Sequence, residues 1–159
     1  MKTFFAAAAL LAGLAVAAPH AASAMGADPT PAPPANTKTD FDAGKQAVQA
    51  GQYDKAIELM KKVVAVEPKN ADAYNYLGFA YRKKGDVKPA AASYETALKL
   101  DANHKGALEY QGELFLKLGK MDDAMKNRAR LVVLCPSGCA ELSELDRAIA
   151  DSKASGGAT

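Results

Sequence analysis

Few residues in this chain are of the kinds that build catalytic or cofactor sites. Of two histidines, only His104 lies beyond the N-terminal apolar stretch. A Ser-His-Asp order has no spacing support from one histidine. His104 falls at a junction between helical patterns, so it reads as a helix cap or a surface residue rather than a catalytic base. Glycine-rich phosphate loops are absent. Cysteine is scarce too, with Cys135 and Cys139 separated by Pro136, Ser137 and Gly138. That spacing is not the C-x₂-C of thioredoxin-like redox proteins, and Ala140 stands where c-type haem attachment requires histidine. These absences point to no enzyme, no cofactor and no resident metal.

No charge of one sign dominates, the net charge being +2. A nucleic-acid partner, which calls for a basic face to neutralise phosphates, is therefore not expected. Only one long apolar run occurs, at residues 4–18, and its roughly 15 residues fall short of the ~20 that cross a bilayer. Lys2 precedes it, Pro19 and His20 end it, and Ala22-Ser23-Ala24 follows. This order predicts a secretory signal peptide at 1–24 cut after Ala24, with a membrane anchor as the competing reading. The cleaved chain would be periplasmic or secreted, without stable membrane insertion. Residues 25–36, with Pro29, Pro31, Pro33 and Pro34, have little to bury and read as a disordered Pro/Ala-rich linker.

What the chain does have is a period. Gly51, Gly85 and Gly119 recur every 34 residues, as do Ala56, Ala90 and Ala124, and Gly44, Gly78 and Gly112. Such self-similarity marks a stack of repeating units. Three repeats are expected, at 37–70, 71–104 and 105–138, each of two helices joined at the first set of glycines. Those glycines suit left-handed helix ends. Asp86 is placed to cap the second helix of the middle repeat, Pro89 suits its first turn, and Asp122 and Asp123 favour the positive end of a helix dipole. The alanines let paired helices approach, and Gly44, Gly78 and Gly112 leave room for a bulky neighbour.

One more amphipathic helix is expected at 139–153, carrying Leu142, Leu145 and Ile149 on one face. It would close the exposed end of the stack over a face that includes Val132 and Leu134. Residues 154–159 are expected to be a disordered tail. In an oxidising compartment Cys135 and Cys139 suit a structural disulfide across a tight turn, with a redox pair or a soft-metal site as alternatives.

These residues closely resemble the tetratricopeptide repeat (TPR) family over about 37–138. The middle repeat carries the family pattern through Tyr74, Leu77, Gly78, Tyr81, Gly85, Ala90, Tyr94 and Ala97. Repeat three departs from it at Gln111 and Arg128, and repeat one at Asp40. The resemblance implies an all-α, right-handed α-solenoid whose first helices line a concave groove for peptide segments. The corresponding positions include Lys45, Asn75, Phe79, Arg82, Glu109, Tyr110 and Glu113. Some family members grip a carboxyl terminus with Lys, Arg and Asn, but Glu109, Tyr110 and Glu113 stand where repeat three would need positive charge. Lys45, Phe79 and Glu113 share one repeat position and are expected along the inner wall. Glu109 and Glu113, four apart, read as a solvated edge of the groove. The leading reading is an exported, non-catalytic adaptor or scaffold that holds a peptide or protein segment. Its alternative is a periplasmic thiol-redox or soft-metal-handling protein using Cys135 and Cys139, and self-association through helix faces stays open.

Overall fold

The computed structural model describes residues 36–156. The expected signal segment and residues 25–35 of the linker lie outside them, as do 157–159. Within them the chain is all-α: α1 (Thr37–Gln49), α2 (Tyr53–Val66), α3 (Ala71–Lys84), α4 (Val87–Leu100), α5 (Lys105–Lys117), α6 (Met121–Leu134) and α7 (Ala140–Gly156). The helices stack as three antiparallel pairs, and α7 closes against α5 and α6. α3 packs beside both α1 and α5, whereas the backbones of α2, α4 and α6 do not approach one another. The first helices therefore form a continuous layer, with the second helices spread behind it.

Helix starts follow the period in a way the glycines alone do not show. Asn36, Asn70 and His104 stand 34 apart, and each accepts a hydrogen bond from the backbone N–H three residues on, at 3.2, 2.9 and 3.1 Å. Asn36 is thus a cap on α1 and not the end of a linker. His104 also meets Asp72 through Nε2 at 3.0 Å, tying α5 to α3. The second helices begin without side-chain caps. Asp86 occupies the N-cap position of α4 but makes no capping bond, and its carboxylate lies 4.0 Å from Lys84 instead. Gly51, Gly85 and Gly119 do end the first helices with φ of +70°, +88° and +71°.

The core is built from small residues meeting large ones. Ala56, Ala90 and Ala124 are fully buried. A Cβ on Gly44 would stand 2.7 Å from Met60 Cε, and one on Gly78 only 2.5 Å from Tyr94 Cε1. Repeat three solves the same problem differently. Arg128 stands at the position of Met60 and Tyr94, and it turns outward to pair with Asp146 of α7. Leu145 of α7 fills the notch in its place, 2.7 Å from where a Gly112 Cβ would lie. Gln111, the other departure from the pattern, is buried and accepts from Asn127 Nδ2 at 3.0 Å, while Asn127 also reaches the Leu108 carbonyl.

Two details of the lid differ from expectation. α7 continues to Gly156, past the expected end at 153, so 154–156 are helical and not part of a tail. Val132 faces solvent at 42% exposure, and the lid covers Leu108 and Leu131 with Leu134 at the margin. The helical period explains the shift, because Leu131 and Leu134 share a face that Val132 does not.

Cys135 and Cys139 join α6 to α7, their sulfurs at bonding distance and their Cα atoms 5.7 Å apart. The loop is too short to constrain the unfolded chain by more than about 2 kcal/mol. Its larger effect is on the angle at which α7 leaves α6. Native protein is expected to weigh two hydrogens less than the reduced form and to resist alkylation until reductant is added. Full alkylation of untreated protein would exclude the bond.

Candidate binding groove

Aromatic residues run along the layer of first helices. Phe41 of α1 meets Tyr76 of α3 edge-on at 5.7 Å, and Phe79 of α3 meets Tyr110 of α5 at 4.9 Å. Tyr53, at the start of α2, approaches Phe79 at 6.4 Å. Sequence spacing singled out Phe79 and Tyr110 but passed over Tyr76. The period contained the signal, since Tyr76 stands 34 residues before Tyr110.

Arg82 organises the centre of this wall. Its guanidinium lies 5.4 Å from the ring centroids of both Phe79 and Tyr110. Its Nε donates to the Tyr94 hydroxyl at 3.3 Å, and its far end pairs with Glu113 of α5. A planar guanidinium can stack on rings and bond at its edge, which an ammonium cannot do in the same place. Phe79, Arg82, Tyr110 and Glu113 are therefore one cluster spanning α3 and α5. Lys45 does not join it; its ammonium sits 5.7 Å over Phe41 of its own helix. Lys83, absent from the expected set, lies 5.3 Å over Phe79.

Asn75 and Glu109 occupy equivalent positions on α3 and α5, and both are deeper than a groove edge. Asn75 is 6% exposed, and its Oδ1 has no hydrogen-bond partner among the described residues. An orphan acceptor of that kind costs about 1–3 kcal/mol. Gly106 makes room beside it, a Cβ there being 3.2 Å from Asn75 Nδ2. Glu109 is 7% exposed, so the expectation of a solvated edge fails for it. It has no hydrogen-bond or ion-pair partner among the described residues. Burial, then the negative charges of Glu113 and Glu141, push its carboxyl up to about 7, against the opposing pull of Arg82. Burial likewise pushes the Tyr110 hydroxyl up to about 12, with Glu109 adding to it.

The consequence for stability has a definite sign. Since the folded value lies above the ordinary 4.5, the folded chain holds a proton that the unfolded chain releases. The group costs nothing below that ordinary value, costs more as pH rises towards 7, and costs fully above it. Glu109→Gln is expected to raise stability at pH 8 by roughly 1–2 kcal/mol, discounting for water at the groove mouth, and to change little at pH 4. Melting temperatures across pH check this, and a variant equally stabilised at both ends would show that charge is not the cause.

Comparison with known proteins agrees with the geometry. A TPR repeat model matches residues 44–85, and a tetratricopeptide repeat model matches 71–104. A TPR repeat-containing protein of Pseudomonas aeruginosa is 30% identical over 89 residues, covering 56% of this chain and 84% of that protein. The chain belongs to the tetratricopeptide repeat family. Cellulose synthase operon protein C of Escherichia coli K12 is 43% identical over 58 residues, 36% of this TPR chain but only 5% of that much longer protein. Among solved structures, the second TPR domain of human RPAP3 in complex with the HSP70 peptide SGPTIEEVD superposes with a TM-score of 0.63. It is 24% identical, covering 70% of this chain and 93% of that one, a likeness of fold.

Proposed function

We propose that this TPR protein is an exported, non-catalytic adaptor whose first-helix groove holds a peptide or protein segment. The observation that carries the reading is the half-buried wall of Phe41, Tyr76, Phe79 and Tyr110, braced by Arg82 and Glu113. Rigid aromatic surface held in place before binding loses little entropy when a segment settles on it. The solved domain of the same fold in complex with an HSP70 peptide supports a peptide-binding reading. Export is supported by the leader pattern at 1–24 and by the placement of the two cysteines at bonding distance.

The test is selection of displayed random peptides on the full mature chain and on Phe79→Ala. Wild type is expected to recover a family of related peptides, with binding lost or weakened at least tenfold in the variant while helicity is unchanged. Glu113→Lys is a poor substitute, because the new ammonium would face Arg82. Recovery of the same peptides by both proteins would move the binding site off this wall. For export, N-terminal analysis of protein from the producing cells should begin at Met25, and retention of Met1 in exported protein would remove that assignment.

A further inference from the structure

We propose that the groove takes a cationic side chain, Lys or Arg, of the bound segment at Glu109; this rests on the peptide-groove reading above. Two acceptors sit at the same repeat position on adjacent helices, each more than nine-tenths buried. Neither has a donor among the described residues. Among the described residues the one fully buried side-chain acceptor without a partner is Asn75 Oδ1, so the unpaired Glu109 oxygens keep an opening to the surface.

The surrounding charges select the sign of the guest. Glu113 on the same helix and Glu141 on α7 both act on Glu109, and Arg82 of α3 is the one cation among the described residues that does. Arg82 is already committed to Glu113 and the Tyr94 hydroxyl. An incoming carboxylate would meet Glu109, Glu113 and Glu141, and the cation acting on Glu109 among the described residues is already paired. An ammonium or guanidinium brings the donors that the Glu109 carboxylate lacks. This preference is the reverse of what an acidic peptide such as SGPTIEEVD would require.

Glu109 also makes the capture dependent on pH. With its carboxyl near 7, the ionised fraction falls from about nine-tenths at pH 8 to about one-tenth at pH 6, and a Lys or Arg guest stays charged throughout.

Peptides selected on wild type at pH 8 are expected to share a Lys or Arg, and replacing that residue by norleucine should weaken binding at least tenfold. A His-free selected peptide should bind about tenfold more weakly at pH 6 than at pH 8, whereas its norleucine analogue should not change. Glu109→Gln should remove both the preference and the pH dependence, and Glu109→Asp should keep part of each. The pH comparison needs no variant, so a misfolded substitution leaves the proposal open to refutation. Selected peptides that are apolar or acidic, or a Lys preference that survives in Glu109→Gln, would overturn it while leaving groove binding intact. No selected peptides at all would overturn the groove reading itself, and this proposal with it.

Discussion

Truncation after Gly138, which removes α7, is expected to abolish cooperative melting and drive the remaining repeats to aggregate. Leu145 and Ile149 of α7 are buried against Leu108 and Leu131, both of which are fully covered in the intact chain. Each large apolar side chain returned to water costs about 1.5–3 kcal/mol. The truncation exposes several at once, against a total of about 5–15 kcal/mol for a domain. It also empties the notch at Gly112 and strips Arg128 of Asp146. A stack of repeats with an open apolar end offers that end to other copies. Light scattering and circular dichroism melts would measure the outcome, and a monomeric, unchanged melt would show that α7 does not close the core. A milder version separates packing from length: Leu145→Ala in the whole chain should cost about 2–5 kcal/mol.

Replacing Tyr94 by Ala is expected to be the most damaging single change in the middle repeat, at about 3–5 kcal/mol. Its ring is fully buried in the notch over Gly78, and its hydroxyl accepts from Arg82. Losing it leaves a cavity and releases one anchor of the guanidinium that braces the groove. Gly78→Ala alone should also destabilise, because its Cβ would lie 2.5 Å from the ring that Tyr94 presses there. The two changes together should not add, since the clash disappears with the ring. A double-mutant cycle in urea would test the contact directly. Full additivity would mean that Gly78 is kept for backbone reasons and not for Tyr94.

Much of this architecture was legible in the chain. Glycines at a 34-residue spacing located the helix ends, and each adopts the left-handed conformation that spacing implied. The expected joining of Cys135 to Cys139 agrees with sulfurs at bonding distance. Asp86 misled because a capping residue type at a cap position still needs its side chain turned inward, and this one makes no capping bond. Gln111 and Arg128 looked like defects in repeat three. They are accommodated by Asn127 and Asp146, partners whose positions follow no repeat rule.

Periodicity by itself determined the helix pairs and their turns, because a repeated contact leaves a repeated residue. Only the tertiary structure decided what the repeated positions do. Glu109 and Glu113 share a helix face in sequence, yet one is buried near α7 without a partner among the described residues and the other is neutralised by Arg82 from α3. Lys45 shares a repeat position with Phe79 and Glu113 but stays on its own helix over Phe41. Burial and charge pairing depend on which neighbouring helix reaches a side chain, and that distance is not written in any local pattern.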